Sequence, residues 1–392
     1  MGENENLIRT LRESLGNELS PFYDTEFNLA RWLQAWENDP MQAEAKIRSH
    51  LELRKLLDLN HEKLRSNWSE KFREVSEILD KGYGRCDVVG SRDRKRNLVA
   101  IVKLGQIDLN YPGLKKIRNS EFFRQRLMLA EEILRKIWEI EKVEKNQVGI
   151  CVIYDLEGLQ LGKQLIEAIQ GPIGRATRLI QDHYPELTHR ILVINSPSII
   201  DYLWSLLKIF VTARTQTKIE FLGANWRAEI LSYIDRDQLP TEYGGSYEWK
   251  EVEEEVDNFQ DCNEDQVPTK KLSSELPRLP QTAKTATIKA KSSLILSYSV
   301  SSSGHSLKWI FRANGDLTFS IKMMNSENPQ NWTDLIPTFC LTTNQVPEFG
   351  NVPDLPVGEI LIKFENDTAL LFGTKLEYWV VTTTPCGEEM PL

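Results

Sequence analysis

Apolar positions recur at helical spacing through residues 1–80, in FNLARWLQAW, AEAKIRSHLELRKLL and FREVSEIL, with Pro21 and the NDP turn at 38–40 as punctuation. This part of the chain is expected to be helical. From 81 to 246 the pattern alternates. The strand-like runs NLVAIVKLG (97–105), VGICVIYDLEG (148–158), HRILVINSP (189–197) and KIEFLG (218–223) are separated by helical stretches such as 121–142 and 162–170. Strands alternating with helices, several of them apolar throughout, predict a mostly parallel sheet covered by helices. Beyond residue 275 the runs are short and alternate in polarity, with the turn signals NGD and END between them. An antiparallel β-sandwich over 276–386 is predicted, and Asn314-Gly315 between two such runs reads as a β-hairpin.

One segment departs from these patterns. Ile199, Ile200, Leu203, Trp204, Leu206, Leu207, Phe210 and Val211 crowd into SIIDYLWSLLKIFV, and TARTQTKI follows. On a helix, Asp201, Ser205, Lys208 and Thr212 draw a single narrow polar stripe, with apolar residues around nearly all the remaining circumference. A surface helix buries one stripe only. The segment is therefore a buried core helix, a membrane span or the wall of an apolar cavity. Pro197, Asp201 and Lys208 count against a span, since each charge at mid-membrane costs roughly 2.5–3.5 kcal/mol. A cavity wall would be completed by the strands CVIY, ILVIN and IEFLG, which supply Val152, Tyr154, Ile194 and Phe221.

Composition narrows the classes further. With 392 residues, 41% of them hydrophobic and 27% charged, the chain can bury a large core in two or three domains. The formal net charge of −9 argues against nucleic acid as a partner. Residues 248–265 hold nine acidic residues against one lysine, and three prolines follow by 280, so 247–275 reads as a solvated linker. Cys86, Cys151, Cys262, Cys340 and Cys386 are scattered with no C-x-x-C pair. Reduced thiols in a cytosolic protein are expected, with a Cys340–Cys386 pair as the alternative. The N-terminus lacks a signal-peptide pattern, and Asn6 stands where a myristoylation motif needs Ser or Thr.

Enzyme templates fit poorly. GLQLGK at 158–163 has three residues between its glycines where a phosphate loop needs four, and Gln164 follows Lys163. GYGRCD at 82–87 lacks the third glycine of a dinucleotide fingerprint, and no G-x-S-x-G elbow occurs. The five histidines show no metal-ligand spacing, so no metal is expected. Asp155 and Glu157 could form a carboxylate pair at a strand end, though turn and capping roles are commoner for such residues.

Residues 218–245, KIEFLGANWRAEILSYIDRDQLPTEYGG, resemble the closing signature of the CRAL-TRIO (Sec-fourteen-like) lipid-binding family. HYPELTHRILVINSPSII resembles its "YPE" strand segment, and 24–55 resembles its helical N-terminal lobe. SLKWIFRANGDLTFSI and the closing LEYWVV resemble the Golgi-dynamics (GOLD) domain, an order similar to the tocopherol-associated or supernatant-protein-factor branch. The resemblance implies a helical lobe (1–80), an α/β lipid-binding domain (81–246) and, after the linker, a GOLD-like all-β sandwich.

It also implies that helix 201–214 is a gate, with Leu203, Leu206, Leu207 and Phe210 facing a lipid. Family members that bind phosphatidylinositol use positions matching Glu186, Thr215 and Lys218 for the headgroup. The family's "RFLRAR" is here Arg31-Trp32-Leu33-Gln34-Ala35-Trp36, which loses two basic positions and favours a neutral tocopherol-, squalene- or sterol-like ligand over a phosphoinositide. The function implied is non-enzymatic carriage of a lipid by a cytoplasmic protein that meets membranes transiently. RKRN (94–97), GLKKIR (113–118) and Lys208/Arg214/Lys218 are candidates for a basic docking face. The alternative is a trafficking or signalling adaptor that recruits a protein partner through the GOLD-like domain.

Overall fold

The computed structural model describes residues 3–59, 70–248, 276–325, 331–369 and 371–391. The acidic run from 249 onward and Cys262 lie outside the described residues. Among the described residues, four α-helices lead the chain: α1 (Glu3–Leu15), α2 (Glu26–Ala35), α3 (Pro40–Leu56) and α4 (Glu70–Tyr83). Local chemistry sets the α2 and α3 starts, where Thr25 accepts from the Asn28 amide and Asp39 accepts from the amides of Met41 and Gln42 ahead of Pro40. Leu11, Leu15, Leu29, Trp32, Leu33 and Ile47 form the core of this lobe.

The middle part is built on β1 (Cys86–Arg92), β2 (Leu98–Lys103), α5 (Asn119–Glu144), β3 (Ile150–Asp155), α6 (Lys163–Ala168), α7 (Gly174–His183), β4 (Thr188–Ile194), α8 (Ile200–Leu207), α9 (Ala213–Gln216), β5 (Ile219–Phe221) and α10 (Trp226–Glu229). The strands lie in sequence order. β2 to β5 are parallel, as the alternation of strand and helix predicts, and β1 joins antiparallel to β2. β1 escapes the sequence reading because CDVVGSR carries too few apolar residues to mark a strand; the ladder with β2 makes it one.

Both sheet faces are covered. Ala100, Val102, Val152 and Val193 face α5 through Phe123, Leu127 and Leu134. Val99, Ile101, Cys151, Ile153, Leu192 and Ile194 face the segment after β5, through Trp226, Ile230, Ile234 and Tyr243. Tyr247 belongs with this layer rather than with a linker, since its amide donates to Leu239 O at 3.0 Å and its hydroxyl to Val89 O at 3.2 Å.

The C-terminal part contains two antiparallel sheets built from β6 (Lys284–Ile288), β7 (Ser293–Val300), β8 (His305–Ala313), β9 (Leu317–Asn325), β10 (Trp332–Asp334), β11 (Phe339–Leu341), β12 (Glu348–Leu355), β13 (Gly358–Glu365), β14 (Thr374–Thr383) and β15 (Glu389–Pro391). One sheet runs β10-β9-β13-β7 with β11 also on β9; the other runs β12-β8-β14-β15 with β6 also on β14. The expected hairpin at Asn314-Gly315 is corrected here. β8 and β9 lie in different sheets, and the turn carries the chain across the sandwich. Phe311 and Phe319 meet between the sheets with ring centroids 4.6 Å apart, and Phe364 lies 5.0 Å from each. Alternation marks which side chains face inward on both strands, but it does not say which strands share hydrogen bonds. Cys86, Cys151, Cys340 and Cys386 are all free thiols, so the Cys340–Cys386 alternative does not hold. β15 carries the sandwich past residue 386.

Candidate functional site

The apolar segment after β4 is a broken helix. α8 ends at Leu207, a single 3-10 turn covers Lys208–Phe210, and α9 begins at Ala213 after Thr212, whose hydroxyl accepts from the Thr215 amide. The break gives its two halves different environments. On α8, Leu203 is buried against Ile107, Leu165 and Ile169, with Leu206 and Leu207 beside it. Its outer face carries exposed Tyr202, and Trp204 meets Phe221 edge-on at 5.9 Å. Ile209, in the 3-10 turn, is 71% exposed. The segment is therefore neither a fully buried core helix nor a surface helix of the usual kind. Among the described residues no helix is long and apolar enough to cross a membrane.

The end of the segment is held by polar contacts. Gln181 of α7 donates to Phe210 O at 3.0 Å and accepts from the Thr212 amide at 2.9 Å, while Gln216 donates to Val211 O at 2.9 Å. The Phe210 ring packs on Gly174, where a Cβ would stand 2.5 Å from ring carbons. Arg175 lies over the same ring, 5.1 Å from its centroid, and pairs with Asp316 of the sandwich at 2.8 Å. Thr342 in turn donates its hydroxyl to Asp316 at 2.8 Å.

Not all the expected wall residues share one side. Val152 and Tyr154 lie on the α5 face of the sheet, where Leu104 and Leu159 touch both their cluster and the one beneath α8. Ile194 lies on the opposite face, packed with Trp226 and Ile230. The expectation for Ile194 is thus corrected: successive residues of a strand point to opposite faces, and Ile194 falls on the wrong parity. Phe221 is 41% exposed and lies outside, against Trp204. Tyr154 is enclosed enough that burial pushes its phenol up to about 12.

The three headgroup candidates are brought together in part. Glu186, with left-handed backbone (φ 56°), accepts from Lys218 Nζ at 2.8 Å, and Lys218 also donates to Thr188 O at 2.8 Å. The second carboxylate oxygen of Glu186 pairs with Arg214 Nε at 2.8 Å. Thr215 follows Arg214 on α9 and is tied to Thr212, whose hydroxyl lies 2.9 Å from its own. Arg214 as a partner of Glu186 was legible only as one member of a basic run. Its guanidinium also donates to Gln34 O at 2.9 Å, which draws α2 to this corner. Arg31, the basic residue retained from the expected motif, is buried in an ion pair with Glu141 and donates to Val148 O at 2.6 Å.

Asp155 is occupied as a turn residue. It accepts from the Glu157 amide at 3.0 Å, from Asn195 at 2.8 Å and from the Tyr243 hydroxyl at 3.3 Å, and Glu157 itself is exposed. The "LPTEYGG" signature thus braces the end of β3. Gly245 within it approaches Leu239 so closely that a Cβ would stand 1.8 Å from its carbonyl oxygen. Among the described residues, no group of three or more His, Cys, Asp or Glu is placed to hold a metal ion.

One polar cluster was invisible in the sequence. Glu131 of α5 accepts from Tyr23 and Tyr184, each at 2.8 Å, and from Arg54 at 2.7 Å, while His50 Nε2 lies 2.9 Å from the Tyr23 hydroxyl. All are buried, and they tie the N-terminal lobe to the start of the "YPE" motif.

The parallel sheet, the broken segment after β4 and the braced closing signature agree with a comparison of families, in which residues 83–245 match the CRAL/TRIO domain. The match takes in the sheet, the segment after β4 and the closing signature, so this part of the chain is similar to that domain. Relatives include a CRAL-TRIO domain-containing protein of Caenorhabditis elegans, 31% identical over 245 residues, covering 62% of this chain and 58% of the relative. The Sec-fourteen cytosolic factor of Schizosaccharomyces pombe is 30% identical over 176 residues, covering 44% and 58%. A second CRAL-TRIO domain-containing protein of Caenorhabditis elegans is 24% identical over 395 residues, covering 94% and 92%. The chain spans 58% of the length of each of the first two relatives. Every gate and headgroup candidate lies within the matched residues 83–245, while Tyr23, His50 and Arg54 of the buried cluster precede them.

Proposed function

We propose that the chain binds one lipid-like apolar ligand on the α5 side of the sheet, beneath α8, and carries or presents it between membranes without chemistry on it. The observation that carries this reading is the asymmetry of the segment after β4. α8 lies over Ile107, Leu165 and Ile169 through apolar contacts, whereas the turn after it is anchored by Gln181. Apolar contacts are non-directional and can be exchanged for contacts with lipid at little cost; hydrogen bonds cannot. α8 therefore acts as the moving lid and residues 208–212 as its hinge. Exposed Ile199, Tyr202 and Ile209 supply apolar contact for a bilayer surface.

The ligand favoured is neutral. Lys218 and Arg214 are already paired with Glu186, so a phosphate there would compete with a carboxylate for both cations. A tocopherol-, squalene- or sterol-like molecule needs no such exchange. The protein is expected in the cytoplasm, meeting membranes transiently.

Lipid extraction and mass spectrometry of the purified chain test the reading, together with transfer between donor and acceptor vesicles. A reproducible co-purifying lipid whose transfer fails in Leu203→Asp supports it. A chain that carries no lipid and transfers none of these candidates is not a carrier.

A second reading, an adaptor recruiting partners through a GOLD-like sandwich, has one observation in its favour. Leu371 and Phe372 stand 83% and 80% exposed between β13 and β14. Deleting 276–392 tests it: undiminished transfer and cellular effect would remove the sandwich from the function.

A further inference from the structure

A cavity of about 290 Å³ lies away from α8, where α4 and the start of α5 meet the sandwich. Its walls are mainly apolar and aromatic: Phe72 and Val75 come from α4, and Trp309, Phe319, Phe339 and Phe349 from the sandwich. A volume near 300 Å³ is the lower end of what small-molecule sites offer, and about twice that of an engineered cavity that takes up benzene.

The polar groups of this cavity are few. Glu348 is buried and accepts from Ser120 Oγ at 2.7 Å, with an Arg118 nitrogen at 3.5 Å. Burial pushes its carboxyl up to about 7, so near neutrality the group sheds much of its negative charge. Arg118 also lies over the Phe349 ring at 4.5 Å and pairs with Glu121 at 2.9 Å.

Two donors are left over. Trp309 is 7% exposed, and its indole N–H is buried without a partner. Arg118 Nε is likewise buried and unpartnered. A buried donor without an acceptor costs about 1–3 kcal/mol, so two beside one apolar cavity call for an acceptor from outside the chain.

We propose that this cavity is a second ligand site, taking a compact apolar molecule that presents a carboxylate oxygen to the Trp309 indole and the Arg118 guanidinium. A short fatty acid and an aryl carboxylate share this chemistry. The apolar body lies among Phe72, Val75, Phe319 and Phe339, and the acid end among the polar groups. Bound there, the molecule touches both the helical layer and the sandwich. The site is independent of the one beneath α8.

Calorimetric titration of the full chain with sodium decanoate and, separately, with 2-naphthoate tests the proposal. Saturable binding of at least one is expected, and which one identifies the shape of the apolar body. Trp309→Phe keeps an aromatic ring and removes the donor, and should weaken binding by about fivefold. Val75→Trp fills the cavity and should abolish it. Leu203→Trp, on the buried face of α8, should leave it unchanged. The proposal is overturned if neither probe saturates, if Trp309→Phe and Val75→Trp both leave binding intact, or if Leu203→Trp removes it. Lipid loading and vesicle transfer, measured on the same Val75→Trp protein, report on the α8 site alone, so the two readings fail separately.

Discussion

Arg175 of α7 pairs with Asp316 of the sandwich at 2.8 Å while its guanidinium lies over Phe210 at 5.1 Å. Through this one side chain the C-terminal domain reaches the turn on which the lid would swing. Asp316→Ala frees the guanidinium to leave the ring, and a half-buried charge-assisted contact of this kind contributes about 1–2 kcal/mol. Faster amide exchange at 208–212 is expected, with vesicle transfer altered in the same variant. Gln181→Ala, which removes both hydrogen bonds to the turn, should give the larger effect. Unchanged exchange in both variants would mean that the turn is not held from this side.

The Glu186–Lys218 contact separates ligand classes. Lys218→Ala leaves Glu186 paired with Arg214, so the fold should lose no more than about 1–2 kcal/mol. Loading with a neutral isoprenoid or sterol, read by native mass spectrometry, is expected to stay within about twofold. Any loading with phosphatidylinositol should disappear. Equal loss of both lipids would show that the pair holds the fold of the site rather than a headgroup.

Glu131 gathers two tyrosines and an arginine inside the molecule. Glu131→Ala leaves the Arg54 cation buried and unpaired, which costs about 3–5 kcal/mol. Tyr23→Phe removes one hydrogen bond and should cost nearer 1 kcal/mol. Urea denaturation midpoints measure both. A loss below about 1 kcal/mol for Glu131→Ala would show that the cluster does not stabilise the junction between the N-terminal lobe and α5.

Glu348 makes stability depend on pH in a predictable direction. Burial first, opposed by Arg118 and Ser120 and assisted by Glu121, holds its folded pKa at about 7 against 4.5 when unfolded. Between these values the folded state binds the extra proton. Its contribution is complete below about pH 4.5 and is lost as pH rises through 7, by about 3 kcal/mol. Asp80, raised to about 6 by burial, acts in the same sense. His183, lowered to about 4 by burial, acts in the opposite sense, with stability present above 6.5 and lost as pH falls. The difference between Glu348→Gln and the parent isolates one group. It should move in favour of the variant from pH 4.5 to 7 in thermal melts, and a flat difference would contradict the assigned pKa.

Much of this architecture was legible in the chain. Runs such as LVAIVK and CVIYD are apolar enough to declare buried parallel strands, and the narrow polar stripe of 199–212 set that segment apart from an ordinary surface helix. These features follow from local periodicity, which depends on near neighbours in the sequence. The fate of Ile194 did not, because the face a strand residue takes depends on the register of the whole sheet. Nor did the Asn314-Gly315 turn, since alternation is the same whether two strands pair or face each other across a sandwich. The break after Leu207, the gathering of Tyr23, Arg54, Glu131 and Tyr184, and the cavity between Val75 and Trp309 join residues tens to hundreds of positions apart. Side chains so far apart meet only when packing and hydrogen-bond demands are met everywhere at once, so only the tertiary structure could decide them.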